Sequence, residues 1–261
     1  MEYSVISSRN NDRIKYVKKL VTDASLRRES GLFTLEGARL CADAVRSGYD
    51  VRETYITQNA LEKYRDTVSP LLEKSGEVFV ISDEVADKLS DTVSTQGVFS
   101  VVKAKENTAL KLSQGARYLA LENVQNPQNL GSVARTAEAL GIDALITFEG
   151  CDIYNPKALR ASMGSLMRIP VCQTDSLASL INEANAMGIL TLATVPDANA
   201  KDITDVDFSH GVLTVIGNEG NGVSPDIQSL CSVRATIKMK GEAESLNAWA
   251  AAIIAMWEMM R

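Results

Sequence analysis

The sequence predicts an α/β fold, with a C-terminal parallel-sheet domain preceded by a smaller α/β domain. Three observations point there. From Tyr118 onward, strand-like apolar runs alternate with helical stretches, the pattern of a parallel sheet with crossover helices. Glycines close two of those helical stretches, at Gly141 and Gly188. Between the two halves, Lys103 to Gly115 loses periodicity and turns polar, as a linker does. The expected division is a first domain over residues 1–105, a linker over 106–116 and a second domain over 117–261.

In chain order, Asn10 to Val21 places Ile14, Val17, Lys18 and Val21 at helical spacing. A basic turn around Arg27 and Arg28 follows, then a short strand at Leu32 to Leu35, broken by Gly37. Ala38 to Arg46 reads as a helix stopped by Gly48, and Glu53 to Thr57 as a strand. Ala60 to Glu73 reads as a helix, Val78 to Ile81 as a strand, Asp83 to Leu89 as a short helix and Gly97 to Val102 as a strand. The second domain offers strands at Tyr118 to Leu121, Ala144 to Phe148, Leu190 to Val195, Val212 to Ile216 and Val233 to Ile237. Its helices are expected over Leu130 to Leu140, Pro156 to Met163 and Leu177 to Met187, and over the apolar tail with Leu246, Ala250, Ile253, Ile254 and Trp257 at helical spacing.

Composition narrows the function classes. The chain has 261 residues, 45% of them hydrophobic and 23% charged, the profile of a globular protein with a sizeable core. No apolar run approaches the length of a membrane span, and Met1 to Lys19 is polar where a secretory signal needs an apolar stretch, so the expected address is cytoplasmic. Cys41, Cys151, Cys172 and Cys231 lie far apart without a CxxC pair, which predicts buried thiols, no disulfide framework and no metal site. A single histidine, His210, precedes Gly211 at a strand entry and reads as a core or turn position rather than a catalytic base. The net charge of −6 argues against indiscriminate attraction to nucleic acid. The first 28 residues run the other way, with seven Lys/Arg against three acids. That excess suits a local basic face, or equally a solvated helix surface.

Three clusters carry candidate chemistry, all at strand-to-helix junctions, where unsatisfied N–H groups face the crevice beyond the strand ends. In the first, Leu121 to Gly141, a strand delivers Glu122, Asn123 and Asn126 to a loop stiffened by Pro127. Asn129 is placed to cap a helix whose buried face is Leu130, Val133, Ala134, Ala137 and Leu140. Arg135, about one and a half turns in, could reach a phosphate or a developing alkoxide, or could instead form a surface pair with Glu138. The second cluster, Val215 to Ser224, holds Gly217, Gly220 and Gly222. Val223 stands where a phosphate loop needs Lys, and the dinucleotide glycine order is absent. The loop suits close backbone approach to a flat ligand, with Asn218 and Glu219 able to bond ribose hydroxyls or position neighbouring loops; a plain tight turn is the alternative. The third, Ile237 to Trp257, turns at Gly241, presents Glu244, Ser245 and Asn247, and enters an apolar helix for which Ser245 could simply be the cap.

Together, in this order and at these spacings, the clusters resemble the three motifs of the SpoU-type RNA 2′-O-ribose methyltransferases of the SPOUT superfamily. The match runs roughly from Arg117 to Met260. The stretch Arg27 to Val45 resembles that family's ribosomal-protein-like substrate-binding domain. The resemblance implies a deep trefoil knot in the second domain, S-adenosylmethionine as cofactor, RNA as substrate, and a homodimer assembled around the active sites.

Carried over by motif, it implies catalytic roles for Asn129, Arg135, Glu219, Ser245 and Asn247. It implies cofactor contacts from Thr194, Gly217, Asn218, Glu219, Gly220, Ile237, Met239, Leu246 and Asn247. The RNA-binding candidates are Arg9, Arg13, Lys18, Arg27 and Arg28 in the first domain, with Arg135 in the second. Ribosomal RNA, from the large subunit in particular, is the favoured substrate. Transfer RNA and a non-catalytic RNA-binding protein of the same fold are the alternatives. Two features depart from the family pattern: Trp249, where small or β-branched residues are common, and the low isoelectric point.

Overall fold

The computed structural model describes residues 3–261, which form two compact units. Of the described residues, the first comprises 3–106 together with Asp152–Met167, and the second Asn107–Cys151 with Arg168–Arg261.

The first unit holds β1 (Ser4–Ile6), α1 (Asp12–Thr22), α2 (Ala24–Ser30), β2 (Leu32–Glu36), α3 (Ala38–Arg46) and β3 (Val51–Thr57). It continues through α4 (Gln58–Lys63), α5 (Arg65–Lys74), β4 (Glu77–Ile81), α6 (Asp83–Leu89) and β5 (Val98–Lys103). Its sheet has the order β1-β4-β3-β5-β2 and is mixed: β3 and β1 run parallel to β4, whereas β5 is antiparallel to both β2 and β3. Ile14, Val17 and Leu20 from α1 meet Tyr55, Phe79, Val85 and Leu89 in one buried cluster. The basic turn expected at Arg27 is instead the helix α2. The Asp23 carboxylate accepts from the N–H groups of Ser25 and Leu26 at its start, and Gly31 closes it in the left-handed conformation. The helix expected over Ala60 to Glu73 is two, α4 and α5, because Tyr64 leaves helical geometry at φ −110°.

The second unit is wound around a seven-stranded sheet of order β10-β12-β9-β11-β6-β7-β8, parallel throughout. Its strands are β6 (Arg117–Glu122), β7 (Ala144–Phe148), β8 (Val171–Gln173), β9 (Leu190–Thr194), β10 (Lys201–Asp202), β11 (Val212–Ile216) and β12 (Val233–Thr236). Its helices are α7 (Pro127–Leu140), α10 (Leu177–Ala186), α11 (Pro225–Leu230) and α12 (Ala248–Met260), whereas α8 (Pro156–Ala161) and all but the last residue of α9 (Ser165–Arg168) belong to the first unit. The central strands β6, β9 and β11 are buried almost throughout, as a sheet covered on both faces requires. Two edge strands, β8 and β10, escaped the sequence because runs of three and two residues carry no periodicity. The helix expected over Pro156 to Met163 stops at Ala161, since Met163 adopts φ 50° and Gly164 φ 88°. Among the described residues no helix is long and apolar enough to cross a membrane. Cys41 and Cys172 are buried as expected, whereas Cys151 and Cys231 are only half-buried.

Candidate active site

The neighbouring strands β12, β9 and β11 all end at the same edge of the second unit, and the loops leaving them enclose a cavity of about 290 Å³. Thr194 ends β9, Ile216 leads into the glycine loop after β11, and Thr236 and Ile237 begin the tail after β12. Of the residues expected at a cofactor, Thr194, Gly217, Asn218, Glu219, Gly220, Ile237, Met239 and Leu246 line this cavity, and so does Ser245. Val195, Pro196, Asn221 and Glu244 line it as well without having been singled out as contacts. Only their position beside a strand end could have marked them.

The glycine loop is folded back on itself. Asn218 and Gly222 exchange backbone hydrogen bonds at 3.0 and 2.9 Å, and the Asn218 side-chain oxygen accepts from the N–H groups of Gly220 and Asn221. A Cβ on Gly217 would sit 1.9 Å from the Gly222 carbonyl carbon and 2.0 Å from the Val223 nitrogen. Backbone atoms occupy that space, so only glycine fits. The Asn218 amide nitrogen also donates to the Asn123 carbonyl, 2.8 Å away, and Asn123 itself holds a left-handed φ of 53°.

Glu219 ties this loop to the start of α7. Its carboxylate accepts from the N–H groups of Gln125 (3.1 Å) and Asn126 (3.0 Å) and from the side-chain amide of Asn129 (2.9 Å). Partial burial pushes the carboxyl's pKa up, but the donors at Asn126, Asn129 and Gln125 together outweigh it and hold the pKa below its ordinary value. A second carboxylate works in the reverse direction: Glu122, buried at the end of β6, accepts from the Ser224 N–H at 2.9 Å. Glu122, named in the first cluster without a role, and Gln125, not named there, are therefore structural members of the site.

Two capping expectations are corrected. Asn129 lies inside α7 and is buried; the cap is Asn126, whose side chain accepts from the Gln128 N–H with Pro127 at the first helical position. Asn247, not Ser245, caps α12 by accepting from the Trp249 N–H at 2.8 Å, and it does not line the cavity. Ser245 is thereby free of a capping role and faces the cavity. Trp249 is 41% exposed and also lies outside the cavity lining.

Arg135 is exposed on α7, and among the described residues it has no hydrogen-bond or ion-pair partner. Its expected alternative partner, Glu138, is engaged by Arg168 through Nε at 2.5 Å and Nη2 at 2.8 Å. Arg135 is not part of the cavity wall. In the first unit the basic candidates separate. Arg27 is buried; its Nε meets Asp152 at 2.6 Å and its Nη1 donates to the carbonyls of Leu20 and Val21, so the expectation that it grips phosphate is corrected. Arg13 bridges Glu53 and Glu77, and Lys18 donates to the Ser90 carbonyl. Arg9 and Arg28 are exposed.

A parallel sheet whose strand-end cavity is floored by a clasped glycine loop defines a class: α/β proteins that bind a ligand beyond the carboxyl ends of their strands. Within that class, this chain belongs to the SpoU rRNA methylase family, whose model matches residues 116–257. Residues 11–100 match the MRM3-like substrate binding domain. The chain is similar to the 23S rRNA (guanosine(2553)-2′-O)-methyltransferase RlmP of Bacillus subtilis (strain 168), with 29% identity over 97% of this chain and 98% of that one. It is 28% identical to the 23S rRNA (uridine(2479)-2′-O)-methyltransferase of Streptomyces viridochromogenes, over 98% and 91% of the two chains. Among solved structures, the AdoMet-bound rRNA methyltransferase from Sinorhizobium meliloti superposes with a TM-score of 0.87 at 25% identity, covering 98% of this chain and 97% of that one.

Proposed function

We propose that this protein transfers the methyl group of S-adenosylmethionine to a ribose 2′-oxygen of ribosomal RNA, the large-subunit RNA being the favoured substrate. The observation that carries the reading is the clasp between the glycine loop and the start of α7, which joins the strand-end cavity to Asn129. The cavity fits the cofactor: apolar Ile216, Ile237 and Leu246 offer surface to a flat ring, while Gly217 lets backbone close in where any side chain would clash. Bound there, S-adenosylmethionine supplies an electrophilic methyl group. The two relatives that act on 23S rRNA by name support the substrate class.

The residues then divide the work. Glu219 holds the backbone of residues 125 and 126 and the Asn129 amide in place, so Asn129 is orientated before any substrate arrives. Ser245, free of a capping role, orients the ribose together with Asn129. Arg135 stabilises negative charge on the 2′-oxygen as its proton leaves, because a guanidinium holds its own proton too tightly to act as an easy base. Its absence from the cavity wall suits the homodimer expected of the family, in which the copies assemble around the active sites. The knot belongs to the same reading, with the tail after β12 threaded past the glycine loop.

Residues 1–105, with the 152–167 segment that completes the same unit, are the RNA-selecting domain in this reading, 106–116 the linker and the rest of 117–261 the catalytic domain. Phosphate contacts fall to Arg9 and Arg28. The test is transfer of labelled methyl from S-adenosylmethionine to unmodified large-subunit RNA, small-subunit RNA and transfer RNA, with Arg135→Ala alongside. One labelled ribose on the large-subunit RNA, lost in Arg135→Ala while cofactor binding persists, is the expected result. Cofactor binding with no transfer to any RNA, naked or in ribosomal particles, would overturn it in favour of a binding protein.

A further inference from the structure

The first unit contains a cavity that plays no part in the site above. It measures about 280 Å³ and is lined by Glu36 at the end of β2, Gly37 after it, Leu40 and Asp43 of α3, the loop carrying Gln96, and Arg160 and Met163 from the 152–167 segment. Every one of these residues belongs to the same compact unit.

Its charges nearly cancel, with Glu36 and Asp43 set against Arg39 and Arg160. A phosphate would face two carboxylates and an ammonium group two guanidinium groups, so a neutral polar ligand is favoured over either ion. The acceptors are largely spent. Glu36 takes hydrogen bonds from Ser90, Thr92 and the Asp91 N–H, and Asp43 pairs with Arg46. What remains is a set of donors. The Gln96 side-chain oxygen is held by the Ala38 N–H, which leaves its amide N–H groups, and Arg39 has no partner among the described residues. Arg160 is fixed by Asp91 at 2.7 Å, while its buried Nη1 lies 3.9 Å from Glu36, too far for a hydrogen bond, and finds no other acceptor. Met163, half-exposed on a left-handed backbone, supplies an apolar rim opposite Leu40.

We propose that this cavity captures one unstacked base of the substrate RNA, guanine being the best match. A guanidinium held flat by its partners is a stacking surface for a base, and sequence-specific RNA recognition works chiefly on bases splayed out of a helix. Donors on the wall match the adjacent O6 and N7 acceptors of guanine. Adenine places an N–H₂ donor beside N7 and would leave donor facing donor. The proposal rests on the RNA methyltransferase reading for its ligand class, but its first test does not need turnover.

Methyl-labelled methionine in the full chain gives an NMR signal for Met163, assigned with Met163→Leu. Titration with guanosine, adenosine, cytidine and uridine monophosphates and with inorganic phosphate should shift that signal at millimolar concentration, most strongly with the guanine nucleotide and not with phosphate. Leu40→Trp, which fills the cavity, should abolish the shift, and Arg39→Ala should weaken it. On the RNA substrate, Leu40→Trp should raise KM about tenfold while kcat and cofactor affinity stay unchanged. An equal response to inorganic phosphate, or no response to any nucleotide, would overturn the proposal. A Met163 response without methyl transfer by the unaltered protein would instead count against the methyltransferase reading alone.

Discussion

Glu219 gathers three donors from one short stretch, and its depressed pKa sets the acid limit of that clasp. A carboxylate whose folded pKa lies below its unfolded value, about 4.3 for glutamate, contributes fully above that value. The contribution is lost as pH falls through the folded pKa. The protection of the Gln125 and Asn126 amides against hydrogen exchange, relative to the free-peptide rate at each pH, should therefore persist from neutrality into mild acid and fall only below the ordinary glutamate range. Loss of protection near pH 6 would show that something else holds the loop. Glu219→Ala should weaken cofactor binding and turnover together, because the loop loses its anchor to α7. The acid itself was legible as a motif member. Its three partners were not, since they depend on two loops 90 residues apart in sequence meeting in space. The same limit misplaced the two caps, where asparagines and serines a few residues apart compete for one helix start and local spacing cannot decide between them.

At the scale of elements, the glycine loop and α2 give opposite lessons. Gly217→Ala would drive a Cβ into the backbone of Gly222 and Val223. The expected outcome is a loop displaced from the cavity, with cofactor affinity reduced at least tenfold in calorimetry and little change in secondary structure. A variant that binds normally would show that the loop has room that its geometry denies. In α2, Arg27 looked like part of a basic surface, because sequence reveals charge but not burial. Its guanidinium is 4% exposed, and its partner Asp152 lies 125 positions away. Removing one member of such a pair strands the other charge, so Arg27→Met should cost about 3–5 kcal/mol in chemical denaturation. Arg27→Met with Asp152→Leu should recover part of that loss. Equal stability of the single variant and the unaltered protein would contradict the burial.

For the whole molecule, the proposed second copy has a face to meet on α12. Leu246, Trp249, Trp257 and Met260 are all substantially exposed, and from Leu246 onward they recur with Ile253 at steps of three and four along α12 and its entry. A stripe of that kind, carrying two tryptophans, is costly to leave in water and fits the proposed homodimer. Light scattering should report twice the mass of 28.2 kDa, and Trp257→Glu should return the single mass. A monomeric unaltered protein would remove that part of the reading. The parallel sheet was legible from its alternation, because each central strand is long enough to carry an apolar pattern. The mixed sheet of the first unit showed four of its strands but not the three-residue edge strand β1, nor their order, which rests on pairings such as β1 with β4 that local sequence does not encode.

The 152–167 segment ties completion of the first unit to synthesis of the second. Tyr154 stacks on Phe33 with ring centroids 4.4 Å apart, Asp152 neutralises Arg27, and Arg160 reaches Asp91. Domains usually fold in the order in which they leave the ribosome. Here the first unit must wait until the chain has grown past Asp152 before its buried arginine meets its counter-charge, and past Arg160 before that side chain reaches Asp91. A nascent chain halted at the linker would thus carry a sheet that is paired but not closed. Its completion would be timed by the growth of the catalytic half rather than by its own.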